Sequence, residues 1–540
     1  MNSNTKKTLR HKLFCHLDGV VIAPTAHALK THGITDYLIK HKKASLDKLT
    51  DTFKANKGYL NVALRGLCSQ GWLSQSVDNT DNTVHFQINE KSESAFNQFH
   101  LYEKVVQLLK ISENYHPRKF EIEPFLKLEE TYHWFKKIKN TNESITDLDK
   151  TIKKQILLHL EGIIVGPTTV FLGIKSMFHK YFMESKFKPE EFHENYEYFE
   201  RLLTILTDLG WFELSKDSTF KFTDYGLFFA KRATAYGVTI SYIPTLSKLE
   251  ELIFGNHLIL KPKTQESVEL HVDREMNVWG SGGAHSSYFK ILDEAVITIF
   301  NKPINEQPKG ILDMGCGNGA FLKHLFTVIE NNTLRGEMLD EYPLQLIGVD
   351  YNDAALLVTR KNLIEADIWA KVIWGDIGKP EQLAQDLKNN YDIELSDLLN
   401  VRTFLDHNRV WEEPKNLSPR ITNSTGAFAY KGERIDNNRV AQSLKEHFIK
   451  WKPFIETHGL LLIELHTVKP ELVAQKIGST AATAYDLTHG YSNQYIIEID
   501  EFLTIIEETG LIYDKNVFKK YPDSDIATVS INLLKSNTIV

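Results

Sequence analysis

The sequence predicts an α/β protein whose second half is a Rossmann-like sheet of seven strands, preceded by two α-rich winged-helix-like repeats and a lid segment. Two observations predict this organisation. In the second half, an apolar run ending in Asp313 leads into the glycine-rich segment 315–319 and a helical pattern, and the next apolar run ends in Asp350. Strands that alternate with helices in this way build parallel sheets. In the first half, a motif that begins at His16 is repeated from His159.

The composition is that of an ordinary globular protein, with 42% hydrophobic and 25% charged residues. No apolar run approaches the ~18 residues of a membrane span, and the N-terminus has no apolar segment behind its charges, so we expect a cytoplasmic protein without a signal peptide. The net charge of −7 argues against general nucleic-acid binding. The cysteines, Cys15, Cys68 and Cys316, are too few and too scattered for a disulfide framework or a zinc cluster.

The first half is a domain-sized duplication. Residues 16–25 (HLDGVVIAPT) match residues 159–168 (HLEGIIVGPT) almost position for position. Each copy then runs through helical segments to a Gly-Trp pair, at Trp72 and Trp211, followed by a polar turn and a short strand. Helices followed by a two-stranded wing are the sequence pattern of a winged helix. We therefore expect winged-helix-like repeats over residues 1–135 and 136–262.

A winged helix binds DNA through a basic recognition helix, and the candidate helix of the second repeat does not fit that role. The helix before Trp211 reads ENYEYFERLLTIL from Glu194, which is acidic where phosphate binding needs Lys or Arg. We therefore expect the repeats to support a homodimer or to cover an active site, and we expect no nucleic-acid partner.

Residues 276–289 link the repeats to the α/β half and are rich in Gly and Ser, with His285 and Tyr288 among them. We interpret this stretch, within a linking segment over residues 263–300, as a flexible lid that crosses a bound cofactor and excludes water. The alternative is a plain linker with a helix N-cap at Ser286 or Ser287, ahead of an amphipathic helix.

The glycine-rich segment predicts a nucleotide-like cofactor, because glycine lets the backbone approach such a ligand closely. The segment also fits the loose dinucleotide fingerprint G-x-G-x-x-G/A. Asp313 completes instead the D-x-G-x-G-x-G pattern of class I methyltransferases, which favours S-adenosylmethionine (SAM). Asp350, which would hold the ribose, lies further from the glycines than is usual, and we interpret the polar insert 331–342 as a loop that accounts for the difference.

Two later features also favour SAM and place a methyltransferase domain over residues 301–540. A third apolar strand (372–374) leads to an acid and an apolar residue that suit an adenine ring. A helix (501–509) and two strand-like runs (512–519 and 526–534) are similar to the antiparallel end of the methyltransferase sheet. The residues expected to bind SAM are Asp313, Gly315, Gly317, Gly319, Asp350, Tyr351, Asp376, Ile377, Gly282 and His285.

Three histidines are predicted at the rim where the carboxyl ends of the strands lie, which is where open α/β sheets bind ligands. His407 follows the fourth predicted strand and His466 ends the fifth. His489 stands five residues before Gln494 in a segment that we interpret as a glycine-containing loop. A single histidine is usually just an isolated polar residue. Three histidines at one rim are stronger evidence for a functional site.

Three functions fit this rim. In the first, His407 is the general base of a metal-independent O-methyltransferase that acts on a small molecule. In the second, a subset of the histidines and Gln494 holds a divalent metal such as iron or manganese, which chelates a malonyl-type acyl group and favours its enolate. In the third, the chain is a non-enzymatic regulator or scaffold that has kept a SAM pocket.

Three segments carry a more specific resemblance: 277–289 (NVWGSGGAHSSYF), 401–409 (VRTFLDHNR) and 489–494 (HGYSNQ). They resemble the methyltransferase domains of bacterial polyketide synthase loading modules, of the apratoxin and saxitoxin type. The resemblance implies metal-dependent C-methylation of a malonyl group, with an acyl carrier protein or a small-molecule acyl acceptor as partner. By this resemblance His489 and Gln494 would be metal ligands, with His466 and His407 as further candidates. We expect catalytic roles for His407, His489 and Tyr288.

Overall fold

The computed structural model describes residues 1–111, 122–141, 146–261, 269–416 and 419–536. The first repeat opens with a long helix and closes its winged part with a small antiparallel sheet. Its elements are α1 (Ser3–Thr31), α2 (Ile34–His41), β1 (Lys43–Ser45), α3 (Leu46–Phe53), α4 (Lys57–Ser69), β2 (Ser74–Asp78), β3 (Thr83–Gln87), α5 (Ser92–Gln98), α6 (Glu103–Ile111) and α7 (Ile122–Asn140).

The second repeat follows the same plan with shorter elements after its long first helix. They are α8 (Asp147–Ile174), α9 (Lys180–Glu184), α10 (Pro189–Phe192), α11 (Tyr196–Asp208), β4 (Phe212–Leu214), β5 (Phe220–Phe222), α12 (Asp224–Ala230), α13 (Ala233–Ile240), α14 (Ile243–Leu246) and α15 (Leu249–Phe254).

Both repeats contain the predicted wing. In the first, β1, β3 and β2 form an antiparallel sheet in that order. Burial alternates along β3, where Val84 and Phe86 face the core, as expected of a strand with one covered side. In the second repeat, β4 pairs with β5, and a single antiparallel bridge between Phe187 and Phe220 stands where the first repeat has its third strand.

The duplicated motif is explained by the crossing of α1 and α8. A Cβ atom added to Gly19 would lie 2.3 Å from the Cα of His159, and one added to Gly162 would lie 2.5 Å from the Cα of His16. Each glycine therefore admits the backbone of the other copy's histidine, so the two helices cross in close contact. At the crossing, each helix therefore needs one histidine and, three residues later, one glycine. This requirement accounts for the repeated motif.

The same two histidines are hydrogen-bonded inside the first half. Nδ1 of His16 bonds the hydroxyl of Tyr236 at 2.7 Å, and Nδ1 of His159 bonds the hydroxyl of Tyr102 at 2.8 Å. Both imidazoles are fully buried, and burial lowers the pKa of His159 to about 3. The repeated histidines are thus core residues of the N-terminal half.

Among the described helices, α8 alone is long and apolar enough to cross a membrane, and 83% of its apolar window is buried inside the protein. It packs against α1, α7 and α13. A helix that is apolar on all sides is expected at the centre of a helical core, which is where α8 lies.

The second half forms one mixed sheet with helices on its faces. Its elements are α16 (Arg274–Phe289), α17 (Asp293–Phe300), β6 (Gly310–Met314), α18 (Ala320–Asn332), α19 (Leu334–Glu337), β7 (Gln345–Asp350), α20 (Asp353–Glu365), β8 (Lys371–Trp374), α21 (Pro380–Tyr391), β9 (Leu398–Thr403), β10 (Ala429–Tyr430), β11 (Glu433–Arg434), α22 (Asn437–Ile455), β12 (Leu460–Leu465), α23 (Pro470–Gln475), α24 (Ala482–Tyr491), α25 (Ile499–Glu508), β13 (Leu511–Tyr513), β14 (Lys519–Tyr521) and β15 (Val529–Ser536).

The main path of the sheet has the predicted seven strands, in the order β13-β15-β12-β9-β6-β7-β8. The five strands from β12 to β8 are parallel, and β15 runs antiparallel between β12 and β13. An eighth strand, β14, pairs with β15 beside this path. The central strands β6 and β12 are buried at every position, as strands covered by helices on both faces should be.

The segment expected to be a flexible loop, residues 276–289, is instead part of a helix, α16, that packs against the second repeat. A Cβ atom on Gly280 would lie 2.6 Å from the backbone nitrogen of Val238, and one on Gly283 would lie 2.4 Å from Thr234. The helix begins at Asp273, whose side chain accepts from the backbone of Met276. Packing against α13 therefore overrides the low helix propensity of glycine, and the glycines serve close helix contact.

The insert predicted as a loop over residues 331–342 also contains helix. It includes the end of α18 and the short helix α19. Arg335 of α19 is buried and donates to Gln307 and to the carbonyl of Pro308. These hydrogen bonds satisfy the buried guanidinium and hold the insert against the sheet.

The helix in the recognition position of the first repeat, α4, is covered by the α/β half. Twelve of its thirteen residues are buried, and it packs against α23 and α24. Cβ atoms added to Gly66 and Gly490 would lie 2.9 Å from Leu487 and 2.7 Å from Val62, so glycines from both partners make this contact close. A helix covered in this way offers no surface to a DNA groove.

Candidate active site

The glycine-rich loop joins β6 to α18 and has the conformation of a cofactor cradle. Gly315, Gly317 and Gly319 have φ values of +80°, +56° and +76°, which non-glycine residues rarely adopt. A Cβ atom on Gly317 would meet nothing closer than 4.0 Å, so this side of the loop is open. The loop ends at the N-terminus of α18, where backbone N–H groups suit an anionic or polar ligand.

Asp313, at the end of β6, fits the cationic part of SAM. Its carboxyl is 1% exposed, and its Oδ1 has no hydrogen-bond partner among the described residues. Burial, and then the nearby negative charge of Asp350, raise the pKa of Asp313 to about 8. A buried acid with an unpartnered oxygen beside an open glycine loop is suited to an ammonium group, such as that of the methionine part of SAM.

Asp350 ends β7 beside the same loop, as predicted. Its Oδ2 accepts from the backbone of Gly317 at 3.0 Å, and its Oδ1 accepts from Asn352 at 2.9 Å. Tyr351 is 62% exposed, and its ring lies 5.5 Å from that of Trp374, which donates to the carbonyl of Tyr351. An acid held by the glycine loop next to an accessible aromatic ring suits a ribose and an adenine.

The remaining predicted cofactor residues lie near this place or outside the described side chains. Asp376, after β8, accepts from the backbone of Gly378, and Ile377 is buried in the core under it. Gly282 of α16 faces the loop, since a Cβ atom there would lie 3.6 Å from the amide of Asn318. His285 lies in α16, but its side chain is outside the described part. The residues present therefore fit SAM.

His407 follows β9 and is oriented by a carboxylate on the neighbouring strand. Its Nδ1 donates to Glu464 of β12, whose other oxygen accepts from the backbone of Asp406 at 2.9 Å. Both His407 and Glu464 are buried. With a proton held on Nδ1, Nε2 is the nitrogen left to act as a base or as a ligand atom.

His489 is oriented in the same way as His407, but by a backbone carbonyl of its own helix. It lies in the last turn of α24, where we expected a loop, and its Nδ1 donates to the carbonyl of Tyr485 at 2.8 Å. The rings of His407 and His489 are 5.1 Å apart, edge to face. Burial, followed by the nearby His407, lowers the pKa of His489 to about 3, so this imidazole is neutral near pH 7 with its lone pair on Nε2.

Gln494 reaches the two histidines because the chain turns back after α24. Asn493 has a φ of +57°, and the backbone nitrogen of Gln494 donates to the carbonyl of His489 at 2.9 Å. The side-chain Nε2 of Gln494 donates to the hydroxyl of Tyr242 at 3.2 Å, which leaves Oε1 as the atom that can bind a ligand. The next backbone nitrogen, that of Tyr495, donates to the carbonyl of His407 at 2.8 Å.

Tyr242 comes from the second repeat and was not found from the sequence. It is 4% exposed, and its ring lies 6.3 Å from that of His489. It lies between α13 and α14, far along the chain from the rim residues, so no neighbouring residue in the sequence marks it as part of the site. We name the set formed by His407, His489, Gln494 and Tyr242 the rim cluster.

Tyr288 lies near the rim cluster without a direct bond to it. Its ring is 6.0 Å from Phe404 and 5.5 Å from Tyr521, and burial raises its pKa. Burial and then the nearby Tyr288 raise the pKa of Tyr485, whose ring lies 6.2 Å from that of His489. The structure thus relates Tyr288 to His489 through Tyr485.

The structure does not bring His466 into the rim cluster. Its Nδ1 bonds the carbonyl of Ile497 at 3.1 Å, and its Nε2 bonds the hydroxyl of Ser530 at 2.7 Å. Both nitrogens therefore have protein partners, and no lone pair is left for a metal. In the described residues no three His, Cys, Asp or Glu side chains come together as ligands of one metal; the rim cluster itself contains only two histidines.

The strand order, the glycine loop after β6 and the acids that end β6 and β7 define a class I SAM-dependent methyltransferase. Residues 269–532 match the family model of the AprA MT2-like domain, residues 161–256 that of the AprA winged helix domain and residues 9–75 that of the AprA N-terminal domain. The chain therefore belongs to the AprA-type methyltransferases. The match to the AprA MT2-like domain begins before α16 and so includes the segment that was predicted as a lid.

Other known proteins are similar over part of the chain or at low identity. A protein-lysine N-methyltransferase, efm4, of Schizosaccharomyces pombe is 33% identical over 86 residues, which are 16% of this chain and 33% of that protein. The chain thus spans about a third of the length of that relative. An O-methyltransferase family protein from Burkholderia thailandensis is 10% identical with a TM-score of 0.42, over 73% of this chain and 100% of that one. The pyocyanin biosynthetic protein PhzM is 12% identical with a TM-score of 0.40, over 72% and 100%.

Proposed function

We propose that this methyltransferase transfers a methyl group from SAM to the carbon of a malonyl-type acyl thioester held on an acyl carrier protein, with a divalent metal bound at the rim cluster. The observation that carries the proposal is the matched orientation of two buried histidines. His407 and His489 each donate from Nδ1 to a protein oxygen and keep Nε2 for a ligand.

This orientation is the one that metal-binding histidines have in proteins. A ligating imidazole commonly donates its other N–H to a carboxylate or a backbone carbonyl, which fixes the tautomer and the ring. Glu464 supplies the carboxylate for His407, and Tyr485 supplies the carbonyl for His489. Oε1 of Gln494 would be the third ligand atom, and two imidazoles with one oxygen suit iron or manganese.

The metal, held by His407, His489 and Gln494, would supply Lewis acidity that lowers the pKa of the carbon acid in a malonyl-type acceptor. The protein residues would contribute by positioning SAM and the acceptor. Asp313, Asp350 and the glycine loop would fix SAM, and the rim cluster would fix the acceptor opposite the methyl group. Alignment of the two reacting atoms supplies much of the rate in such a transfer. His407, His489 and Gln494 are each 6% exposed, so the reacting groups would be shielded from water.

A second candidate function is metal-independent O-methylation of a small molecule, and one contact favours it. The bond from His407 Nδ1 to Glu464 has the form of a general-base dyad, in which the carboxylate orients the imidazole and stabilises its protonated form. In that reaction Nε2 of His407 would take a proton from the acceptor hydroxyl as the methyl group is transferred. His489 and Gln494 would then only line the pocket.

Metal binding separates the two proposals without a substrate. Purified protein freed of metal is titrated with Mn²⁺ and the free ion is followed by electron paramagnetic resonance. We expect one site that is lost in His489→Ala and in Gln494→Ala and kept in His324→Ala, whose imidazole pairs with Asp293 away from the rim. Absence of a site in the wild-type protein would overturn the metal proposal and leave the general-base reaction.

A further inference from the structure

We infer that Arg65, in the first winged-helix repeat, is a positioning residue for the active site of the α/β half. It lies on α4, in the helix that would recognise DNA in other winged helices, and its side chain is 2% exposed. The guanidinium reaches out of its own repeat, and its partners described below are all in the α/β half. This inference deepens the proposed function, and its kinetic test rests on that function.

Arg65 binds the helix that carries His489. Its Nε donates to Oδ2 of Asp486 at 2.8 Å, and both side chains are buried. Asp486 lies one turn before His489 on α24. A buried ion pair has little freedom to move, because separating its charges leaves each one unpaired in a medium of low polarity. The contact therefore fixes the rotation and height of α24 at the turn that carries the imidazole.

Arg65 also binds the segment that follows β12. Its Nη2 donates to the hydroxyl of Thr467 and to the carbonyl of Val468, both at 2.9 Å. Thr467 lies three residues after Glu464, the carboxylate that orients His407, and its hydroxyl donates to Oδ1 of Asp486 at 2.6 Å. One guanidinium thus joins the two segments from which the two oriented histidines are held.

The planar, forked geometry of the guanidinium is what the site requires. Nε and Nη2 bond two different segments at once, and Nη1 donates to the carbonyl of Thr425. A lysine would keep the charge, but its single ammonium group has no fixed fork to span these partners. Arg65→Lys should therefore keep the fold but hold α24 less firmly against the segment that follows β12.

The test compares Arg65→Lys with Arg335→Lys, a matched control. Arg335 is also buried and also donates to a side chain and a carbonyl, in the insert away from the rim cluster. We expect Arg65→Lys to lower kcat at least tenfold with the KM for SAM within twofold of wild type. We expect Arg335→Lys to leave both constants unchanged. Equal loss of kcat in the two variants, or a loss that comes entirely through KM for SAM, would overturn the inference.

Hydrogen exchange read by mass spectrometry tests the same inference without any substrate. We expect faster exchange of residues 482–495 in Arg65→Lys than in wild type or Arg335→Lys, and unchanged exchange there would contradict the proposal. Asp486→Asn should reproduce the effect, and the double variant should be no worse than either single one. If no acceptor is methylated by the wild-type protein, the proposed function fails, while the exchange data still decide the role of Arg65.

Discussion

The imidazoles of His407 and His489 lie 5.1 Å apart, edge to face, although one follows a strand of the sheet and the other ends a helix packed under the first repeat. Each donates from Nδ1 to a buried oxygen of its own surroundings. In both rings, therefore, Nε2 is the nitrogen that this bond leaves for the site. Both rings are thus oriented to take part in the reaction.

Glu464→Gln tests the orientation of His407. The amide has the shape of the carboxylate but offers one oxygen and one N–H, so the tautomer and the angle of the imidazole lose their fixed partner. We expect kcat to fall roughly 10- to 100-fold, the range seen when the residue that orients a metal-binding histidine is changed. Steady-state kinetics with SAM varied should show an unchanged KM for SAM. An unchanged kcat would mean that the contact between Glu464 and His407 is only structural.

Asp313 predicts a pH dependence of SAM binding. Its pKa is raised to about 8 in the protein without SAM, mainly by burial, so near pH 6 the folded protein holds a proton there that an exposed aspartate would have released. Binding of an ammonium group favours the ionised acid, and ionisation increases as the pH rises toward 8. We expect the affinity for SAM, measured by calorimetry, to increase from pH 6 to pH 8 in wild type. In Asp313→Asn this increase should be absent, and an equal increase in the variant would show that another group titrates.

Gly280→Ala and Gly282→Ala separate the packing of α16 from its helix propensity. The new Cβ atom at position 280 would lie 2.6 Å from backbone, whereas the one at position 282 would be 3.6 Å from the flexible amide of Asn318. We expect Gly280→Ala to cost about 1–3 kcal/mol of unfolding free energy because the helices must separate. Gly282→Ala, in the same helix, should be neutral or slightly stabilising. Thermal unfolding followed by circular dichroism distinguishes these results, and equal midpoints would contradict the close contact.

Tyr242→Phe tests whether the second repeat takes part in the site. The change removes the hydroxyl that accepts from Gln494 and leaves a buried amide donor without its partner, which costs about 1–3 kcal/mol. We expect roughly tenfold weaker Mn²⁺ binding or a similar loss of kcat, because Gln494 is free to rotate. Tyr236→Phe is the control, since its hydroxyl bonds His16 in the N-terminal core. A comparable loss in Tyr236→Phe would indicate a general effect of destabilisation.

Much of the fold could be predicted from the sequence because its signals are local. The glycine loop, the strand that ends in Asp350 and the duplicated motif at His16 each lie within a few neighbouring residues. The prediction that residues 276–289 form a flexible loop was wrong, since the glycines of α16 look like a loop until the facing helix is known. Packing between distant segments decides whether such a stretch forms a helix or a loop. This packing leaves no periodic pattern in the sequence of a single segment.

The site was predicted less completely, for the same physical reason. His407, His489 and Gln494 lie at the expected rim, but the resemblance, and not their spacing, singled out the last two. His466 also ends a strand at this rim. Its Nε2 is hydrogen-bonded to the hydroxyl of Ser530 on a neighbouring strand, which the sequence alone does not reveal. Arg65 and Tyr242 come from the other half of the chain, and nothing near them in sequence indicates an active site.

The most direct test is methyl transfer from SAM to a malonyl-loaded acyl carrier protein, read by intact mass, with the enzyme first freed of metal and then given iron or manganese. We expect a gain of one or more methyl groups that disappears with a chelator, returns with the metal and is absent in His489→Ala. A gain that persists in the chelator, or SAM binding without any gain, would contradict metal-assisted carbon methylation.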